Sequence, residues 1–312
     1  MRREGSPFQG LGVVFFKELS DHLTSARMRV LELLVVIVAV LVVNGAIEQI
    51  RELTAEDPFL FLRLFTTSKE PWPALSFFLV FLVPLVAIGL GFDSINGEFN
   101  RRTMSRILAQ PIYRDALLFG KFFGALAALT ISLVVLWLLI VGFGLYALGV
   151  PPNGEEVLRM VAFLVIAVFY AGLWLAIAML FSIVFRSPAT AALIALGLWL
   201  VLTLMWSLVA DTIAKALFPP DVEGTQIVVA QALARLSPVV LFQDAVQAIL
   251  NPATRVFGAV TLQQLHGMVP GAPLPLIESL LIAWPQIVGL VAGTILLFVI
   301  GYVVFQRQEV RA

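Results

Sequence analysis

"FDSINGEFNRRTMSRILAQPIYRDALLFGKF", residues 92–122, lies between two greasy runs and holds five of the twenty basic residues of the chain. The whole sequence is 60% hydrophobic and 13% charged, with 24 Phe among 312 residues, whereas a soluble domain is about half apolar and about a quarter charged. Such a composition belongs to a membrane chain. A helix crosses the hydrocarbon core in roughly 20 residues, and apolar runs of about that length or more stand at 29–47, 74–96, 116–149, 157–185, 189–210 and 280–305. The expected fold is therefore all-α, a polytopic protein with six transmembrane helices, whose over-long third and fourth runs project from the bilayer or tilt within it. Residues 92–122 become the connection between the second and third spans, and the charge concentrated there needs a reason.

Several chemistries are excluded early. The chain has no Cys and two His, His22 and His266, which removes thiol nucleophiles, thiolate metal sites and disulfides. The N-terminus, MRREGSPFQGLGVVFFKELSD, has no apolar leader followed by a small-residue cleavage site, so the first span is expected to remain as an anchor. Net charge is zero, so the informative quantity is where the charges fall. With six spans both termini share one side. That side carries Arg2, Arg3, Lys17, Arg27, Arg29, Arg101, Arg102, Arg106, Arg114, Arg186, Arg307 and Arg311, against Arg51, Arg63, Lys69, Lys215, Arg235 and Arg255 on the other. The positive-inside rule places both termini and the 92–122 stretch in the cytoplasm.

Two cytoplasmic elements stand out. Over 8–25, Phe8, Leu11, Phe15, Phe16, Leu19 and Leu23 share one helical arc and Lys17, Glu18, Ser20, Asp21, Thr24 and Ser25 the other, the pattern of an interfacial helix before a span. Over 98–109, Phe99, Thr103, Met104, Ile107 and Leu108 oppose Glu98, Arg101, Arg102, Ser105 and Arg106, with Asn100 as the polar intruder. Pro111 then breaks the helix. Anchoring by positive charge needs neither an amphipathic face nor brackets at Gly97 and Pro111. A short stiff lever that passes force from a soluble partner to the span ends needs both. On the outer side, 211–279 carries seven prolines and is too long for a plain connection. It is expected to form short helices lying on or capping the outer face.

Other motifs read more simply. Gly120–Lys121 is no phosphate loop, because Asp115 replaces the first Gly and Phe122 the hydroxyl. Gly120 and Gly124, like Gly289 and Gly293, have the spacing that lets helix backbones approach in lipid. Glu32, Asp93 and Glu278 near span ends could carry protons or cations, but anchoring or pairing with nearby Arg explains them. Glu155–Arg159, "EEVLR", reads as an acidic outer turn.

With these features in place, "FDSINGEFNRRTMSRILAQPIYRDALLFGKFFGAL", residues 92–126, resembles the ABC-2 type permeases. The shared pattern is an acidic residue closing the second span, a Gly-Glu pair, a Thr-containing short helix, a Leu-x-x-Pro-Ile turn and Gly-Lys-Phe at the third span. "FFKELSDHLTSARM" (15–28) resembles that family's elbow helix and "GLWLAIAMLFSIVFRSPATAALIALGLWL" (172–200) its fourth-to-fifth span region. "LSPVVLFQDAVQAI" (236–249) resembles the branch that includes the permease of nitrous-oxide-reductase maturation. The resemblance implies that 1–312 is one ABC-2 transmembrane domain with an elbow helix at 8–28, a coupling helix at 97–111 and the outer segment 211–279. It implies a homodimer or heterodimer in a prokaryotic inner or plasma membrane, seated on two ABC ATPase subunits that hold the ATP and Mg. This chain itself would be no enzyme, would bind no cofactor or metal, and would have the lipid bilayer but no nucleic acid as partner. Carried over by position, Glu98 matches the family's acidic residue, and Asn100, Arg101, Arg102, Thr103 and Arg106 complete the ATPase-coupling set ended by Pro111. Gly120 and Lys121 then open the third span. "NRRTM" departs from the acidic or glycine-rich stretch of many members. An ion-coupled secondary carrier using Asp93 or Glu278, and a membrane scaffold docking through 211–279, are the competing expectations.

Overall fold

The computed structural model describes residues 8–52, 58–71, 73–110, 112–218, 223–255, 257 and 273–308. Among them, six helices are long and apolar enough to cross a membrane: Ala26–Ile50, Leu75–Asn100, Arg114–Leu148, Gly154–Val184, Pro188–Leu217 and Leu276–Arg307. In chain order the elements are α1 (Leu11–Thr24), α2 (Ala26–Glu52), α3 (Leu60–Thr66), α4 (Leu75–Gly91), α5 (Asn96–Asn100), α6 (Met104–Ala109), α7 (Arg114–Leu148), α8 (Gly154–Val184) and α9 (Pro188–Leu200). A π-helical turn (Val201–Met205) joins α9 to α10 (Trp206–Leu217), and α11 (Glu223–Ala234), α12 (Pro238–Leu250) and α13 (Leu276–Arg307) follow.

The helix boundaries follow local chemistry. Asn153 begins α8 with a reciprocal capping box to Glu156. Ser187 before Pro188 and Ser237 before Pro238 cap α9 and α12, with proline where its missing N–H costs nothing. Gly149 ends α7 at φ +70°, a conformation that favours glycine. Ser25 lies between α1 and α2 in extended backbone. Its hydroxyl donates to the His22 carbonyl at 2.9 Å and accepts from Met28 N–H at 3.1 Å, closing one helix and opening the next. The 8–28 elbow is thus a helix, a one-residue corner and the first residues of the first span.

Lipid tails are as apolar as leucine, so helices in a membrane associate by close packing and polar contacts rather than by expelling water. The fourth span, α8, is the central post and packs on α13, α4, α7, α12 and α9. Of its most apolar window 67% is buried, against 6% for the fifth span, which therefore faces outward from this chain along almost its whole length. A Cβ at Gly91 would come within 2.7 Å of Ala178 Cβ, so α4 and α8 touch nearly backbone to backbone. Two expectations need revision. The fifth span runs on to Leu217, so the first residues of 211–279 continue a helix instead of forming a cap. α12 does not lie on the outer surface: bent 106° from α11, it is wedged against α13, α8 and α4 with Phe242, Ala245, Ile249 and Leu250 buried. Pro238 opens α12 just after the bend at which the chain turns back inward. Residues 219–222, 256 and 258–272 of that segment lie outside the described residues.

Candidate functional site

The last span ends beside the start of the third, where Arg114 donates to the Gln308 carbonyl at 2.9 Å. This terminal face also holds α1, α5 and α6. At its centre is Lys121, about two turns into α7 and 4% exposed. A buried ammonium must be paired. Lys121 Nζ donates to Glu18 Oε1 of α1 at 2.9 Å and to Glu98 Oε1 of α5 at 3.0 Å. One cation thereby joins the elbow helix, the connector and the third span. The approach is possible because Gly120 and Gly124 leave room: a Cβ at Gly120 would meet Val14 Cβ at 2.8 Å, and one at Gly124 would meet Glu18 Cβ at 2.8 Å and Phe15 O at 3.1 Å. Gly289 and Gly293 sit instead under the side-chain tips of Leu241 and Leu173, each at 3.0 Å.

A second clasp lies alongside. Arg27, the second residue of α2, donates to both Asp93 oxygens at 3.0 and 2.8 Å and to the Gly89 carbonyl at 2.8 Å, with its guanidinium over the Phe92 ring. The planar fork fits a carboxylate at both nitrogens, so the start of the first span is pinned to the end of the second. Glu18, Asp21, His22, Asp93, Glu98, Arg101 and Lys121 line a cavity of about 250 Å³ between the clasps. Burial by itself pushes the Glu18 carboxyl up. The ammonium groups of Lys121 and Lys17 more than reverse this and hold it below the usual carboxylate value. Burial pushes the His22 imidazole down.

The connector is not the single stiff helix that its sequence pattern suggests. α5 and α6 are two short helices broken at Arg101–Thr103, and Arg102 adopts φ +56°. The break reconciles two demands that one straight helix cannot meet. Glu98 must turn inward to Lys121, while Met104 must bury its side chain, which is 2% exposed. Glu98 was therefore misplaced on a solvent-facing arc. It accepts from Thr103 Oγ1 as well as from Lys121. Asn100 is also engaged, donating to the Arg186 carbonyl at 3.1 Å. The Ile95 and Asn96 amides donate to Ser182 Oγ at 3.0 and 3.2 Å, seating α5 on the end of α8. Of the seven candidate coupling residues, Arg101, Arg102 and Arg106 face solvent with no ion pair among the described residues. Pro111 lies outside the described residues.

Two central residues escaped the sequence reading. The sequence reading gives Lys121 only the opening of the third span, although a lone cation in an apolar run implies a buried counter-charge. Arg159, read as part of an acidic turn, is 0% exposed at the opposite face. It pairs with Glu155 at 2.9 Å and donates to the Ile249 carbonyl at 2.7 Å, to Ser279 Oγ at 3.2 Å and to the Leu274 carbonyl. It thus stitches α8 to α12 and α13. Glu156 is a cap that also accepts from Phe61 N–H at 2.7 Å. Glu278 is exposed at the start of α13, Asp93 is held by Arg27, and Glu32 accepts from Ser132. Among the described residues no three His, Cys, Asp or Glu side chains gather as metal ligands.

Set against known proteins, residues 13–310 match the model of the ABC-2 family transporter proteins, and the chain belongs to that family. It is 32% identical over 102 residues to a probable ABC transporter permease protein NosY of Pseudomonas aeruginosa, covering 32% of this chain and 35% of that one. It is 36% identical over 86 residues to the protein of the same description from Stutzerimonas stutzeri, covering 28% and 29%. The matched segments thus span about a third of these curated relatives.

Proposed function

We propose that the chain is the permease subunit of an ABC transporter, moving substrate or transmitting force outward when separate ATPase subunits hydrolyse ATP. The observation that carries this reading is the two-sided connector at α5–α6. Its inner side is bound to two spans, to α7 through Glu98 and to the end of α8 through Asn96 and Asn100, and by way of Lys121 to α1, while Arg101, Arg102 and Arg106 turn to solvent with no ion pair among the described residues. A partner that pulls on the arginines pulls on α7, α8 and α1 through these bonds. Such a grip does work only if nucleotide-loaded and empty partners hold the connector with different affinity. The positive-inside bias puts this face in the cytoplasm, where ATP is available. Two copies of the chain, identical or paired with a related permease, would sit on two ATPases, which supply the ATP and Mg chemistry. An ion-coupled carrier built on Asp93 fits less well, because Arg27 already fills both of its oxygens.

Native mass spectrometry of the gently purified chain tests the composition. Two copies with two nucleotide-binding subunits are expected, whereas an intact assembly that reproducibly lacks any ATPase rejects the reading. Charge reversal at Arg101 and Arg102 tests the contact. Transport-coupled ATP hydrolysis should fall about tenfold or more with no loss of fold, as expected when charged hydrogen bonds to a partner are lost.

A further inference from the structure

Glu32 has no role in the coupling reading, and its surroundings are unusual. It lies on α2 six residues past Ala26, about 9 Å along the helix at 1.5 Å per residue, and so within the apolar part of the first span. Its Oε1 accepts from Ser132 Oγ of α7 at 2.7 Å. Among the described residues it makes no ion pair, and Ser132 is its sole hydrogen-bond partner, although a carboxylate has about four acceptor positions. The carboxylate stands at one end of an apolar groove of about 230 Å³ between α2, α4 and α7, walled by Val35, Leu79, Leu82, Val83, Val86 and Leu136. Ile131 and Val135 at its edge are exposed, so the groove opens sideways toward the bilayer. It is smaller than the roughly 300–1,000 Å³ typical of drug-sized sites and suits a chain better than a compact molecule.

The orientation narrows the occupant further. The polar end of the groove lies toward the terminal face and its apolar walls run toward the bilayer midplane, the direction in which a lipid of that leaflet extends. A carboxylate with open acceptor positions in an apolar setting favours a positive charge bearing N–H donors. An anionic headgroup is repelled there, and a quaternary ammonium brings charge but no donor. We propose that Glu32 and Ser132 form a site for the primary-ammonium headgroup of a phospholipid in the terminal-face leaflet, with one acyl chain in the α2–α4–α7 groove. This lipid would fill the gap between the first three spans. The proposal needs only the membrane-spanning fold and is independent of the ATPase reading.

The test places the full chain, with any subunits that accompany it, in nanodiscs of equal phosphatidylethanolamine, phosphatidylcholine and phosphatidylglycerol. Tightly held lipids are then counted by native mass spectrometry. Phosphatidylethanolamine should be retained about tenfold over phosphatidylglycerol, the scale of one charge-assisted hydrogen bond, with phosphatidylcholine between them. Glu32→Gln should erase the headgroup preference and Leu82→Trp should expel the chain of all three. Equal retention of the three lipids by the unaltered protein overturns the proposal without reference to any variant. So does a preference that survives Glu32→Gln, unchanged retention by Leu82→Trp, or crosslinking through Val135 that finds a second copy of this chain in the groove.

Discussion

Two buried cations hold the two faces of this molecule, and they do it differently. Lys121 at the terminal face is a flexible ammonium between two carboxylates from separate elements, beside a cavity of about 250 Å³. Arg159 at the opposite face is a rigid fork with one carboxylate and three neutral acceptors from α12, α13 and the chain leading into α13. Ion pairs near solvent are cheap to rearrange, because water can take over either partner. A guanidinium in a dry, directional set of carbonyl bonds has no such substitute. The comparison suggests a face built to move and a face built to stay.

The hardest way to break that contrast is at Arg159. Arg159→Ala leaves two buried carbonyls and Ser279 without their donor, and we expect a loss of about 4 kcal/mol, read as thermal unfolding in detergent. Lys would not restore it, since an ammonium cannot reproduce the fork. Lys121→Met should cost less, about 2 kcal/mol, because Glu18 and Glu98 can be hydrated from the cavity. It should nevertheless reduce coupled ATP hydrolysis more than Arg159→Ala does per unit of stability lost. If Lys121→Met proves the more destabilising change, the two faces have been read the wrong way round. Gly124→Ala forces a Cβ against the backbone of α1 and should cost about 1–3 kcal/mol, whereas Gly293→Ala meets a leucine tip that can turn and should cost under about 1 kcal/mol.

Acidity sharpens the comparison, because the terminal face brings a buried imidazole and a paired carboxylate together. His22 faces Glu18, Asp21, Asp93 and Lys121, and burial lowers its pKa from 6.5. The unfolded or undocked imidazole therefore binds its proton first as pH falls. The stability of α1 on α7 is full above about 6.5 and declines as pH drops toward the folded value. Glu18 is also depressed, from 4.5, so its contribution is lost only lower, as pH falls through its folded value. Protection of α1 amides from hydrogen exchange, corrected for the intrinsic pH dependence of exchange, should fall below pH 6.5, and His22→Gln should flatten that first step. The smallest effect is expected at Arg102. Arg102→Gly relieves φ +56° and should stabilise the fold by about 0.5–1 kcal/mol while weakening the proposed partner contact.

Much of the architecture was legible from one-dimensional chemistry. Apolar run length marked the six spans, the arc over 8–25 marked the interfacial helix before the first span, and the arginines of 101–106 marked the polar connector worth explaining. The pattern over 98–109 nevertheless misled in one respect. Periodicity assumes an unbroken helix, and Arg102 breaks it so that Glu98 and Met104 can both turn inward. The α12 wedge was hidden for a related reason: a short, half-apolar helix between prolines looks the same whether it caps a bundle or enters one.

The sequence by itself determined the solvent of this protein, its number of crossings and the side on which its positive charge collects, because these depend on composition, length and charge count along the chain. Only the tertiary structure decided the partners of the buried charges. Lys121 meets Glu18 across 103 positions and Glu98 across 23, and Arg159 reaches Ser279 across 120. An isolated cation in an apolar run announces that a counter-charge must exist, but which one depends on how the helices pack. In lipid that packing is set by small residues such as Gly91, Gly120 and Gly124, which let particular backbones meet.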